Sequence, residues 1–383
     1  MGRAIVVGAG LGGLAAAIAL ERRGWEVTVL ERRAEPGEVG AGIALWPNGL
    51  AALDELGLGA AVRAEGTVEG DGGIRDARGR WLTRTDAATL RRRLGDGIVV
   101  LDRPVLHGRL AAAAPTVETD AAVRAVEPGD DATPAVVHDV RGRTWTADLV
   151  VAADGLRSTV RGALRPPAVP RPTGRTAFRL VADHDLGSGG ETWGHGDLVG
   201  LAPLPGGRTY LWAVVRTGDV PSQALADPEP ALAWLRTRFA AWHRPIPAVL
   251  DAAGDVAIHP LADLAPLPSW HHGRVALLGD AAHAMTPNLG QGASQAFLDA
   301  VVLAEEAGAD GSGLARYEAR RAPTARLLAR RSRRAGQVAG WRSLVAVALR
   351  DALLAALPDD AAPAALGRLL AAERVALPAG AVR

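Results

Sequence analysis

The chain contains no cysteine among its 383 residues. That removes disulfides, thiolate chemistry and a redox-active dithiol from consideration, and it fits a cytoplasmic protein. Charge of one sign is missing too. Lys+Arg 43 against Asp+Glu 42 leaves +1, so no bulk field draws the protein to nucleic acid or to anionic lipid. The scattered Arg-Arg pairs fall on helix-like segments and read as solvated faces. A long hydrophobic run is also lacking. The best candidate, residues 4–20, is 17 residues long, holds four glycines and closes at Glu21 without a cleavage-like exit. It is neither a signal peptide nor a stable membrane insertion. No G-x-S-x-G occurs, so a hydrolase elbow is unsupported. His107, His243, His271 and His272 lack metal spacing, and no metal is expected. There is no internal repeat and no long low-complexity tract.

What the chain does have is glycine at two distant turns. AIVVGAGLGGLAAAIAL starts at Ala4, with Gly8, Gly10 and Gly13 in the pattern GxGxxG. A short apolar strand precedes it and an alanine-rich helix follows to about Arg23. The second strand, EVTVLE, ends at Glu31. Such glycines let the backbone turn tightly and approach a pyrophosphate, whose charge sits at the helix N-terminus. The acid can accept from the 2′-OH of an adenosine ribose, and it would repel a 2′-phosphate. The second turn lies in GRVALLGDAAHAMTPNLGQGASQAFLDAVVLA, residues 273–304: a strand, a Gly-Asp turn and an apolar helix opened by paired glycines. Together the two loops describe the two ends of one large cofactor.

Between them the pattern changes. Residues 1–60 read βαβα, with a polar excursion of short strands near 67–100. A helix is expected over 103–114, with Leu106 and Leu110 on one face. ADLVVAA is a buried strand ended by Asp154-Gly155. The Pro-rich crossing RPPAVPRP, 165–172, marks a boundary. From Thr176 to Val215 the period becomes two (TAFRLVA, ETWG, LVGLAPL, TYLWAVV), as in an antiparallel sheet. Helices are expected at 229–241 and 291–306, and the rest of the chain is mostly helical, interrupted around Pro358–Pro363. The expected fold is α/β: a Rossmann-like dinucleotide-binding domain (1–162 and 273–325), an inserted antiparallel-sheet domain (163–272) and C-terminal helices (326–383).

These stretches resemble the single-component, FAD-dependent class A aromatic hydroxylases of the para-hydroxybenzoate hydroxylase type, nearest the salicylate and urate hydroxylase-like branch. The resemblance covers nearly the whole chain: GAGLGGLAAAIAL with VTVLER, GAGIALWPNGLAALDELGL from Gly40 to Leu58, DRPVLHGRL, ADGLRSTVR and GDAAHAMTPNLGQGA, in that order. It implies FAD-binding roles for Gly8, Gly10, Leu11, Gly13, Glu31, Arg32, Arg103, Asp154, Asp280, Pro287, Gly290, Gln291 and Gly292. Asp280 would sit on the ribityl chain, Arg103 on the ribityl or pyrophosphate, and the Gly290–Gly292 N–H groups at flavin N1 and O2. With no cysteine for a flavin–cysteinyl link, and His283 read as a packing residue, FAD would be noncovalent. NADH or NADPH would reduce it through a transient groove including Asp154, Arg157 and Arg161. O2 would then add, and an aromatic or polyketide-like ring would be hydroxylated through a C4a-hydroperoxyflavin. Two departures stand out. Ala152 replaces the usual glycine before Ala153-Asp154-Gly155, and Phe178-Arg179-Leu180 stands where relatives have Trp-Arg-Gly.

The candidate catalytic residues are Arg179, Tyr210, Trp212 and Pro287. Arg179 pairs with a substrate anion if it points inward and is solvated if it points outward. Tyr210 and Trp212 share a face by alternation, and with Trp193 they form either an aromatic wall for a planar substrate or the packing face of the sheet. His195 reads as a surface residue. Met285 and Leu289 would help Pro287 exclude water. Phe178 and Leu180, read as apolar flanks of the pocket, favour a larger and less charged ring. No catalytic base is evident. The same loops would serve an epoxidase, a Baeyer-Villiger-type oxygenase or an oxygen-independent flavin oxidoreductase. A protein that merely holds the cofactor is the reading from another class. A monomer or a homodimer is equally compatible.

Overall fold

A computed structural model describes residues 2–35, 41–164, 168–308 and 312–358, with single positions at 361, 364 and 367. Gly40, the first residues of the Pro-rich crossing (165–167) and most of the expected C-terminal helix beyond 358 lie outside the described residues.

The first sheet has six strands in the order His271–His272, Val275–Leu277, Leu149–Ala152, Arg3–Val7, Glu26–Leu30, Val117–Glu118. All pair in parallel except the first, which is antiparallel. The central strands are runs of valine, leucine and alanine because layers cover both of their faces. The helix Leu11–Glu21 follows the first strand, and the helix Gly292–Glu306, buried from Ser294 to Ala304, packs beside it. They approach closely at Gly12, where a Cβ would stand 3.1 Å from the Ala296 Cβ. This is the expected Rossmann-like layer, assembled from both ends of the chain.

The second sheet has seven strands: Ala257–Asp263, Arg171–Ala182, Arg208–Arg216, Leu198–Leu204, Gly190–Trp193, Gly72–Asp76 and Trp81–Thr85. It is antiparallel apart from one parallel pair, Gly190–Trp193 with Gly72–Asp76. The excursion near 67–100 therefore supplies two strands to this sheet. Alternation splits the sheet into two faces. Phe178, Leu180, Leu211, Ala213 and Val215 join a core with the helices Pro228–Phe239 and Ile246–Asp251. Ala177, Val181, Tyr210, Trp212 and Val214 turn the other way, toward the flavin-type domain and the C-terminal helices. Arg208 locks the two units, donating to Asp102 through both terminal nitrogens at 3.1 and 2.6 Å.

The helices Leu314–Ala339 and Leu344–Ala355 close one side. Arg350 is 2% exposed, donates to the Ala339 and Gly194 carbonyls, and lies 5.6 Å from the Trp193 ring. Trp193 is thus packed beneath the C-terminal helices rather than forming part of an open wall. Among the described residues, no helix is long and apolar enough to cross a membrane.

Candidate functional site

The first glycine loop is shaped by close approach. Gly8 has φ +104°, and a Cβ there would meet the Ala153 carbonyl oxygen at 2.7 Å and the Asp154 Cα at 3.2 Å. Gly13 is tighter still: a Cβ would lie 1.9 Å from the Gly8 carbonyl oxygen. The loop therefore folds onto the Asp-Gly turn, and the helix starts against its own strand. Gly10 precedes the first helical residue, and Leu11 is buried beneath the turn. Glu31 reaches back into the loop, its carboxylate accepting from the Ala9 N–H at 2.9 Å and the Arg33 N–H at 3.0 Å. Arg32 is exposed beside it. From behind, His107 Nε2 donates to the Ala9 carbonyl at 2.8 Å, a support that spacing alone did not reveal.

The Asp-Gly turn faces the same place. Asp154 Oδ2 accepts from the Thr159 and Val160 amides at 2.7 and 3.1 Å, while its Oδ1 is buried without a partner among the described residues. A buried carboxylate oxygen with open capacity suits a donor brought by a bound group. Ala152 is a regular strand residue paired with Val7 and Leu277, so its methyl costs nothing. Arg161 does not belong to an open nucleotide groove. It is 4% exposed, and its guanidinium donates to the carbonyls of Ala281 and Leu156 at 2.8 and 2.7 Å, tying this turn to the second glycine loop. Arg157 is exposed.

In the second loop, Gly279 takes φ +60° and Asp280 begins a short helix. Asp280 is exposed at its surface, yet protein surrounds it at longer range. That enclosure pushes its carboxyl up, and the charges of His283, Arg103 and Arg179 oppose the shift. Pro287 opens a 3-10 turn ended by Gly290 at φ +62°, where a Cβ would stand 2.8 Å from the Trp46 indole nitrogen. Gln291 caps the helix Gly292–Glu306, and open space lies over Gly292. The Gln291 side chain accepts from Asn48 Nδ2 at 2.9 Å, while its own Nε2 is buried without a partner among the described residues. Met285 and Leu289 are half-buried beside the turn.

Arg179 lies on the sheet face that meets this loop. Register sets it opposite Trp212 on one side and Ala257 on the other. Tyr210 and Trp212 stack at 5.1 Å between ring centroids, with the Tyr210 ring against Gly42. Burial raises the Tyr210 hydroxyl, and Arg179 and Arg103 pull it down. Burial first, then the same two arginines, lowers His259, which shares this face. The structure thus brings Tyr210, His259 and Asp280 each within electrostatic reach of Arg103 and Arg179, a basic pair the sequence did not suggest. Phe178 and Leu180 are on the opposite face, Phe178 against Trp234 at 5.9 Å, so they do not line the pocket. His195 is exposed.

A buried network supports the second loop. Asp299, the one acid within the apolar helix run, accepts from the Gly279 N–H at 3.1 Å, His283 Nε2 at 2.5 Å and Arg321 Nε at 2.8 Å. His283 packs against Trp270 at 5.0 Å between ring centroids. Burial alone would raise Asp299, but these partners win and hold it at about 2. A folded value below the unfolded one stabilises the protein above the unfolded carboxyl range, and that stabilisation is lost as pH falls from about 4 through about 2. It is worth roughly 2 kcal/mol. We expect Asp299→Asn to unfold at lower urea than the wild type at pH 7, with the gap shrinking at pH 3. A constant gap would contradict the charge-based account.

Glu31→Ala removes the acceptor that both holds Ala9 and faces the loop. FAD binding should weaken by about 1–2 kcal/mol, roughly 5- to 30-fold in Kd. Titrating apoprotein into fluorescent FAD measures this, and an unchanged Kd contradicts the role.

Comparison with known proteins agrees with this geometry. A family profile described as FAD binding domain matches residues 2–188 and 258–332. The chain is 34% identical over 371 residues to the aurachin C monooxygenase/isomerase of Stigmatella aurantiaca, covering 93% of this chain and 94% of that one. It is 33% identical to the 3-hydroxybenzoate 6-hydroxylase of Klebsiella oxytoca, covering 85% and 86%. Among solved structures, HpxO of Klebsiella pneumoniae in complex with FAD and uric acid superposes with a TM-score of 0.87 at 28% identity, covering 97% of each chain.

Proposed function

The chain belongs to the class A FAD-dependent aromatic hydroxylases, flavoprotein monooxygenases that use O2, and from that premise we propose that it hydroxylates a planar aromatic ring held between the Tyr210–Trp212 face and the Pro287 turn, with NADH or NADPH as reductant. When bound, FAD would supply the redox chemistry of hydride acceptance and O2 activation, held by the residues that follow.

The residues divide the remaining work. Gly8, Gly10, Gly13 and Glu31 bind the adenosine and pyrophosphate end, and Asp280 and Arg103 the ribityl end. The Gln291 and Gly292 N–H groups would meet charge that develops at the ring on reduction, whereas the Gly290 N–H, expected to join them, is spent on the Pro287 carbonyl at 2.8 Å. Pro287, Met285 and Leu289 keep water from the reacting face. Arg179 orients an anionic or phenolate substrate. The observation that carries this reading is the shared sheet face, where Arg179 lies in register with Trp212 and acts electrostatically on Asp280. The cationic cluster favours a ring with an ionisable oxygen or nitrogen, and a polyketide-like or quinolone-sized ring remains within the proposal. The relatives' substrates by name, 3-hydroxybenzoate and urate, both offer such groups. A cytoplasmic location, where nicotinamide is available, accompanies this reading.

Stopped-flow reduction tests the donor. We expect bleaching of the flavin by NADH or NADPH, faster with an aromatic substrate present. Failure of both donors across candidate rings points instead to a partner reductase.

A further inference from the structure

The sheet face that meets the flavin-type domain carries opposite charges along one cross-strand row. Register places Glu191, Gly200, Trp212, Arg179 and Ala257 side by side. Gly200 has no side chain, so the Trp212 indole lies across it; a Cβ there would stand 1.9 Å from Trp212 Cε2. The indole N–H thereby donates to Glu191 Oε1 at 3.3 Å, while Trp193 Nε1 donates to Oε2 at 2.7 Å. A second carboxyl arrives from another element. Glu69 follows the strand Thr67–Val68, and its Oε1 lies 2.7 Å from where a Cβ on Gly189 would be. Gly189 immediately precedes the strand Gly190–Trp193, two residues before Glu191, and the Glu191 charge acts on Glu69. Both are half-buried.

Two carboxyls drawn together away from water are costly unless a proton or a donor relieves them. Burial, and then the Glu191 charge, pushes Glu69 up to about 7. Burial also raises Glu191, against the two indole donors. Other charged groups nearby are turned away or engaged. Arg75 is on the opposite face over Trp81, Asp71 accepts from Arg84 and the Ala87 N–H, and Arg350 is paired with Asp351. Arg179 is three strands away, roughly 14 Å along the row. The flat indole of Trp212 spans the ground between, a surface for a planar ring.

We propose that Glu69 and Glu191 form the acidic end of the substrate pocket and receive a ring O–H or N–H, with Glu69 accepting its proton. This rests on the monooxygenase reading and gives it a substrate class: planar rings, fused bicycles included, that carry a hydrogen-bond donor on the side away from Arg179. In the step, the ring O–H or N–H bond breaks and the proton passes to a Glu69 carboxylate oxygen. The electron pair stays on the ring heteroatom, enriching the ring carbon that takes oxygen. The proton later returns to solvent. Glu191, fixed by its two indoles, orients the donor.

The test uses FAD-loaded protein and paired probes: 3-hydroxybenzoate with 3-methoxybenzoate, and 4-quinolone with its N-methyl form. Binding is read from the perturbation of the flavin spectrum. The wild type should bind at least one donor form about 10- to 100-fold tighter than its methylated partner. Glu69→Leu, which removes one of the two acceptors, should shrink that preference at least about threefold, and Glu69→Gln, which keeps an acceptor but no base, should remove the acid limb near pH 7 from kcat/KM. A nitro-substituted phenol, already ionised, should be spared. Because the preference is a ratio within one variant, general damage does not mimic its loss, and flavin content checks the fold. Equal binding of donor and methylated forms, no binding of any donor form, an unchanged ratio in Glu69→Leu, or an unchanged acid limb in Glu69→Gln overturns the proposal. Flavin reduction by NAD(P)H in those same samples shows separately whether the monooxygenase reading stands.

Discussion

A methyl group placed on Gly13 should leave the protein without flavin. The Cβ of Gly13→Ala would lie 1.9 Å from the Gly8 carbonyl oxygen, backbone against backbone, so no side-chain rotation relieves it. The helix Leu11–Glu21 must back away from its strand or the Gly8 turn must open. Either change moves the amides that meet the pyrophosphate, and strain of this kind costs several kcal/mol. Gly108→Ala is the matched control: it sits on the helix Arg103–Ala113 with nothing within 4 Å of the added atom. The check is the ratio of flavin to protein absorbance after gel filtration. Gly13→Ala should emerge nearly colourless and Gly108→Ala as yellow as the wild type. A fully loaded Gly13→Ala would mean that this loop does not carry the cofactor.

Arg179→Ala should spare the flavin and cripple turnover. Arg179 is half-buried on the inner face, and its charge acts on Tyr210, His259 and Asp280. Losing one member of a partly buried, hydrogen-bonded charge pair with a substrate anion costs about 2–5 kcal/mol, so kcat/KM should fall roughly 30- to 5,000-fold. Arg179→Lys should recover part of it, because the charge remains while the planar fork is gone. Product yield and peroxide should be measured together: a displaced substrate leaves NAD(P)H oxidation running to peroxide. Wild-type product yield in Arg179→Ala would remove this residue from the substrate site.

How far the sequence could be read depended on what each pattern encodes. The glycine loops were legible because backbone approach tolerates no side chain, as Gly8 and Gly13 demonstrate. The two-layer arrangement was legible because continuous apolar strands and alternating strands mark sheets covered on two faces or divided between them. Alternation puts Phe178 and Arg179 on opposite faces but does not say which face meets the cofactor. That is why Phe178 and Leu180 were assigned to a pocket they do not line. Arg161 was placed in a nicotinamide groove with Asp154 and Arg157 because a motif does not show a guanidinium spent on the Ala281 carbonyl. The strands Gly72–Asp76 and Trp81–Thr85 joined a sheet more than 100 residues downstream, a pairing that local periodicity cannot carry. Glu69 came with them, in a segment that read as a polar excursion. Asp299 had a visible signal, a lone acid inside an apolar helix, but its partners His283 and Arg321 lie on other elements.

Isotope incorporation tests the central claim most directly. The FAD-loaded protein is reduced with NADH or NADPH without oxygen, then mixed with 18O2 in the presence of 3-hydroxybenzoate, urate and 4-quinolone in separate reactions. The account predicts that at least one ring gains a single 18O atom, with one nicotinamide oxidised per product formed. Peroxide alone from every ring, or product oxygen derived from water, would contradict it.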